Sequence, residues 1–204
     1  DPLVADGVVY IGSYDGHFYA LDAKTGKAKW IFPSVGSKKS ASSQFEMPSQ
    51  APAAPEAKAE AKPAPVPAVP ASPMEPTDVG GFSYSSAAIH NGIIFVGNLD
   101  YRLYALDAAT GKMLWRYKTE APVTSSPTVS ANGTHVYFGS NDGNVYDINV
   151  ENMQKPTVRW KVPTRDWVNS SVRLDEGMAF IGSNDRRLYA LDENTGGAKW
   201  SFAT

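Results

Sequence analysis

One segment pattern returns four times along this chain, and it constrains the fold more tightly than any bulk property. Each copy is an apolar strand ending in Gly, a polar turn with Asp, an aromatic strand, a second turn and a strand carrying Trp. The copies read VVYIGSYDGHFYALDAKTGKAKW from Val8, IIFVGNLDYRLYALDAATGKMLW from Ile93, HVYFGSNDGNVYDINVENMQKPTVRW from His135 and MAFIGSNDRRLYALDENTGGAKW from Met178. Their landmark glycines, Gly12, Gly97, Gly139 and Gly182, lie 85, 42 and 43 residues apart. A period of about 40–45 residues of short strands and turns is the size of one four-stranded blade. The 85-residue interval hides no further copy, because residues 38–80 contain no Trp, no Tyr-Ala-Leu-Asp and no alternating strand.

The punctuation inside each copy divides it into strands. In the first, β-branched and aromatic runs at residues 8–11 and 18–21 flank Ser13-Tyr14-Asp15-Gly16, and Asp-Gly between such runs is a strong hairpin signal. Asp22-Ala23-Lys24-Thr25-Gly26-Lys27 is a second reversal, since Asp bonds nearby backbone amides and Gly permits the turn. Trp30 then falls on the outermost strand. Small residues precede the copies, as in Ser85-Ser86-Ala87-Ala88-Ile89 and Ser125-Ser126-Pro127-Thr128-Val129, and suit an innermost strand crowded around an axis.

Four strands in an antiparallel meander cannot bury both faces alone, so the sheets must stack on one another around that axis. The expected fold is therefore all-β, a β-propeller of four-stranded antiparallel blades. Trp30, Trp115, Trp160 and Trp200, with Tyr19, Tyr104, Tyr146 and Tyr189, are expected to dock blade against blade, because packing must recur in every blade and a ligand site need not. The expected divisions are blade 1 at 1–37, an insert at 38–80, and blades 2 to 4 at 81–120, 121–164 and 165–204.

The succession Gly-Ser-x-Asp-Gly, Tyr-Ala-Leu-Asp, Thr-Gly-x-x-x-Trp resembles the quinoprotein-type (PQQ-like) propeller repeat, whose tryptophans dock neighbouring blades. The resemblance covers nearly everything outside the insert and implies a propeller of seven or eight blades. It leaves function open, since the family holds both quinone-dependent dehydrogenases and non-enzymatic scaffolds. Asp1-Pro2-Leu3-Val4 aligns with Ser126-Pro127-Thr128-Val129, and Ala203-Thr204 follows the last Trp strand. Both ends thus fall at blade boundaries, and the missing blades are expected from the same parent chain or from a second copy.

The insert, with Ala51-Pro52-Ala53-Ala54-Pro55-Glu56-Ala57-Lys58 and Ala64-Pro65-Val66-Pro67, has almost no large apolar side chains to bury. It is expected to be disordered, serving as a spacer or as a docking segment. Strand alternation places it over the face that carries Asp15, Asp100, Asp142 and Asp185.

The sequence carries little that announces chemistry. The chain has no Cys, three histidines at unrelated repeat positions (His17, His90 and His135), and no phosphate loop, nucleophile elbow or His-Glu-x-x-His. Its net charge of −2, with scattered basic residues, argues against a nucleic acid partner. No apolar run is long enough to span a membrane.

One link departs from the repeat. Arg165-Asp166-Trp167-Val168-Asn169 stands where other copies have Ala121-Pro122-Val123-Thr124 and Gly81-Phe82-Ser83-Tyr84. Phe82, Tyr84 and Trp167, with Arg165, Asp166 and Asn169 as polar guides, form the expected platform for a ligand or partner; ordinary closure of the joint is the alternative. No residue is expected to be catalytic, to bind a cofactor or to ligate a metal.

The resemblance extends to the family's propeller lipoproteins of outer-membrane protein assembly. That implies a non-enzymatic, protein-binding scaffold in a periplasmic or cell-surface setting. The alternative is part of a quinone-dependent alcohol or sugar dehydrogenase using PQQ and calcium. In that group the resemblance implies an adjacent cysteine pair, which this chain lacks.

Overall fold

A computed structural model of the chain describes residues 1–33, 46–47, 81–82 and 84–204. The described residues form no helix, and all their strands but the two-residue strand Glu46–Met47 fall into four antiparallel meanders. Blade 1 runs β1 (Leu3–Ala5), β2 (Val8–Gly12), β3 (Phe18–Asp22) and β4 (Ala28–Phe32). The strand β5 (Glu46–Met47) comes next in the chain. Blade 2 runs β6 (Ala88–His90), β7 (Ile93–Asn98), β8 (Arg102–Asp107) and β9 (Met113–Lys118). Blade 3 runs β10 (Thr128–Val129), β11 (His135–Gly139), β12 (Asn144–Asn149) and β13 (Thr157–Pro163). Blade 4 runs β14 (Arg173–Asp175), β15 (Met178–Ser183), β16 (Arg187–Asp192) and β17 (Ala198–Ala203).

Three kinds of turn recur in blades 1, 2 and 4, and blade 3 shares only the second of them. The first is a two-residue reversal with both residues at positive φ: Asp6-Gly7 (49° and 71°), Asn91-Gly92 (47° and 72°) and Glu176-Gly177 (46° and 75°). That geometry matches the twist of the strands it joins. The second is a three-residue loop closed by Ser13 N–H to His17 O at 2.9 Å in blade 1 and by Ser140 N–H to Asn144 O at 3.0 Å in blade 3. Its last residue needs positive φ, supplied by Gly16 and Gly143 but also by Tyr101 and Arg186. Arg186 is exposed and holds φ at 66°, so Arg186→Gly should remove that strain without losing packing. We expect a gain of about 1 kcal/mol, read as a higher thermal midpoint. In the third turn the Oδ1 atoms of Asp22, Asp107 and Asp192 accept from the Thr25, Thr110 and Thr195 amides at 2.8, 2.8 and 2.9 Å.

The core lies between blades rather than within them. Three clusters fill the joints: Tyr10, Phe18, Phe82, Ile94 and Val96 between blades 1 and 2; Phe95, Trp115, Tyr117 and Phe138 between 2 and 3; Tyr137, Trp160, Val168 and Ile181 between 3 and 4. Each of the four repeat tryptophans packs on an aromatic of its own second strand, with ring centroids 5.9, 5.9, 5.8 and 5.9 Å apart for Tyr10–Trp30, Phe95–Trp115, Tyr137–Trp160 and Phe180–Trp200. Trp30 and Trp160 also reach the following blade, donating Nε1–H to Ala108 O at 2.9 Å and to Glu193 O at 3.1 Å.

Trp200 differs from the docking role expected of it. Its face meets no further blade among the described residues, and it is 45% exposed where Trp115 and Trp160 are 0% and 2%.

The repeated Tyr residues do more than pack. Tyr19, Tyr104, Tyr146 and Tyr189 donate their hydroxyls to the turn carboxylates of Asp15, Asp100, Asp142 and Asp185 at 2.6, 2.5, 2.5 and 2.5 Å. That bond is the first cause holding the exposed Asp15 carboxyl down at about 2. At Asp100 burial outweighs it and raises the carboxyl instead.

The expected insert at 38–80 lies outside the described residues except for Glu46 and Met47. Those two form β5, which pairs in parallel with β9, Glu46 opposite Arg116 and Met47 opposite Tyr117. β9 is an outermost strand, whose unpaired edge accepts any extended backbone whatever its side chains, so no side-chain pattern advertised the pairing.

Candidate functional site

The inter-blade links sit on the face that carries the three-residue turns, and backbone bonds fix them. Phe82, Val123 and Val168 donate their amides to Ser13 O, Asn98 O and Ser140 O of the preceding blade at 3.3, 3.1 and 3.1 Å. In the next blade the Leu99, Asn141 and Asn184 amides donate to the carbonyls of Gly81, Pro122 and Trp167 at 3.1, 2.9 and 2.9 Å. Trp167 therefore occupies the position that is Gly81 and Pro122 in the other links, and it is the one large side chain of the three.

This framework sorts the expected platform. Phe82 leaves it: at 2% exposure it fills the joint of blades 1 and 2 against Phe18, Phe32 and Tyr104. It is the counterpart of the buried Val123 and Val168, an equivalence masked in the sequence by the extra residue Tyr84. Asp166 and Asn169 serve local structure: Asp166 Oδ1 accepts the Trp167 amide at 2.7 Å, and Asn169 Oδ1 lies 2.8 Å from Thr124 Oγ1 across the joint of blades 3 and 4. Arg165 donates its backbone amide to Asp185 Oδ2 at 3.1 Å and is exposed. Trp167 is 53% and Tyr84 57% exposed.

Sequence reasoning missed Tyr14. It is 73% exposed and meets Tyr84 edge-on, ring centroids 5.7 Å apart at 85°. A hydrogen bond from this neighbour raises the Tyr84 hydroxyl above its ordinary range. A signal was present, since Tyr14 stands at the turn position that is Leu99, Asn141 and Asn184 in the other copies.

The face thus carries two aromatic features on rigid mounts: the Tyr14–Tyr84 pair at the joint of blades 1 and 2, and Trp167 beside Arg165 at the joint of blades 3 and 4. Large amphipathic rings with little conformational freedom to lose are the groups that dominate protein–protein contacts.

The histidines lie apart: His17 beside Asp15 at 3.4 Å, His90 against the Gly133 turn, and His135 beside Asp147 at 2.9 Å. Among the described residues no three His, Asp or Glu side chains come together to hold a metal ion. The chain has no Cys either.

Comparison with known proteins agrees with the repeat geometry. The PQQ-like repeat family described as outer membrane protein assembly factor BamB matches residues 1–57, 68–155 and 133–204. The chain belongs to that family. BamB of Nitrosomonas eutropha is 27% identical over 112 residues, 55% of this chain and 26% of that protein. The 1-butanol dehydrogenase (cytochrome c) of Thauera butanivorans is 28% identical over 119 residues, 58% of this chain and 12% of that one. The quinoprotein ethanol dehydrogenase of Pseudomonas aeruginosa is 32% identical over 144 residues, 57% of this chain and 22% of that one. The crystal structure of BamB from Moraxella catarrhalis superposes with a TM-score of 0.65 at 14% identity, covering 98% of this chain and 50% of its own. This chain therefore spans half of that BamB, and its matches cover about a quarter or less of the three curated relatives.

Proposed function

We propose that this propeller arc is a non-enzymatic scaffold that holds partner proteins on its link-bearing face, in outer-membrane protein assembly and in a periplasmic or cell-surface setting. The observation that carries the proposal is Trp167. A half-exposed indole stands where the other links have Gly81 and Pro122, on a backbone pinned at Asp166, Asn184 and Ser140. Tyr14 and Tyr84 supply a second anchor on the same face. Membership of a family described by an assembly factor supports this role; the dehydrogenase relatives support the rival.

The test uses the full-length parent. A photo-crosslinking side chain at position 167 or 84 should capture components of the outer-membrane assembly machinery, and one at position 176, in a turn on the opposite face, should not. Loss of two aromatic anchors at about 1 kcal/mol or more each predicts that Trp167→Ala with Tyr84→Ala weakens co-purification by at least ~30-fold. Equal crosslinking at all three positions, or dye reduction on reconstitution with quinone and calcium, would overturn the proposal.

A further inference from the structure

Three strands of blade 3 depart from the repeat at positions that meet in space. On β12, Asp147 replaces the Ala20, Ala105 and Ala190 of the other blades. On β11, His135 stands where they have Val8, Ile93 and Met178. On β13, Arg159 stands where they have Lys29, Leu114 and Lys199. Each blade carries a register shift between its third and fourth strands just here, between Asp147 and Ile148 in blade 3. Such a bulge re-aims the side chain of the extra residue. In blade 3 that residue is Arg159.

Arg159 points at the turn of blade 4 and holds it. Its Nε donates to Asn194 O at 2.9 Å, and its second terminal nitrogen to Glu193 O at 3.0 Å and Asn194 Oδ1 at 2.9 Å. Its other terminal nitrogen lies 2.9 and 3.2 Å from the two ring nitrogens of His135, which places it over the ring. Behind this hook sits Asp147, fully buried, with Oδ1 at 2.9 Å from His135 Nδ1. Its Oδ2 has no hydrogen-bond partner, the Arg159 Nε standing off at 3.5 Å. The remaining ionisable groups that face the cluster are Glu193, on the blade 4 turn, and the Tyr137 hydroxyl bonded to it at 3.1 Å.

We propose that Asp147, His135 and Arg159 make the joint of blades 3 and 4 proton-responsive, firm when the cluster holds an added proton and looser as the solution turns alkaline. The argument is one of linkage. Opening the joint lets water reach the carboxylate; the ionised form gains from that hydration and the neutral form does not, so ionisation favours opening. Burial is the largest influence on Asp147 and lifts its carboxyl from 3.8 to about 6, against the pull of His135 and Arg159. With the closed-state value raised, the stabilisation is full below about 4 and is lost as pH rises through about 6.

Amide hydrogen exchange on the 204-residue chain tests this. After correction for intrinsic rates, protection of the Glu193 and Gly196 amides should be about tenfold lower at pH 8 than at pH 5. The matching Ala108 and Gly111 amides of blade 2, whose third strand carries Ala105 in place of the aspartate, should change by less than ~twofold. Asp147→Asn, a neutral isostere, should abolish the difference. An equal pH response in both turns of the wild type overturns the proposal without any variant, and so does a response that survives in Asp147→Asn.

Discussion

Gly139→Ala should destabilise the chain by about 3 kcal/mol, whereas the same change at Gly182 should cost less than ~0.5 kcal/mol. The two glycines hold the same place in the repeat, at or near the end of the second strand, and neither needs positive φ. What differs is the cover. A Cβ on Gly139 would stand 2.3 Å from Val168 Cγ1 and 2.7 Å from Val168 O. Val168 cannot retreat, because its amide is bonded to Ser140 O. At Gly97 the obstacle is again link backbone, Val123 O at 2.4 Å. At Gly182 the nearest atom is Ser170 Oγ at 3.4 Å, an ordinary contact. Urea unfolding of the two variants beside the parent measures the contrast. Matching losses would mean that the seating of the next link is not what demands Gly.

That contrast also shows what a single sequence can yield. The landmark glycines, the Trp series and the turn aspartates were legible because a blade cannot bury its faces alone, so the same contact is written once per copy. Equivalences inside the links were harder to read. Ser85, Ser125 and Ser170 bond the backbone of Gly97, Gly139 and Gly182 respectively. Counting back from them puts Phe82 one residue out of step with Val123 and Val168, because Tyr84 is inserted. A buried plug therefore looked like part of an exposed platform. Trp167 was legible as a departure from the repeat, and its rigid mount was not, since the Asn184 bond joins residues 17 apart by position in the chain.

The departures of blade 3 were likewise visible one by one, and only the fold brings them together. His135, Asp147 and Arg159 sit on three successive strands, and the bulge beside Asp147 decides where Arg159 points. No spacing rule for metal or catalytic motifs covers such a set. Tyr14 and Tyr84, from different blades, meet for a comparable reason: a hairpin turn and an inter-blade link share one face of the arc.

The same logic of cover predicts unequal weights for the repeated tryptophans. Trp160→Ala should cost about 3–5 kcal/mol, the range for emptying a buried aromatic site. The ring is 2% exposed, and Gly196 of the next blade lies so close that a Cβ there would come within 2.9 Å of it. Its Nε1–H bond to Glu193 O contributes on the order of 1 kcal/mol of that loss. Trp200 has the same contact with its own blade through Phe180 but is 45% exposed, so Trp200→Ala should cost about 1 kcal/mol in the 204-residue chain. Gly26, which holds in blade 1 the place that Gly111 and Gly196 hold over Trp30 and Trp160, has open space above it. A blade docked on the Trp200 face and offering such a Gly would bring the two costs together. Thermal unfolding of both variants decides the matter: equal losses in the isolated chain would show that each sheet carries its own stability and that stacking adds little.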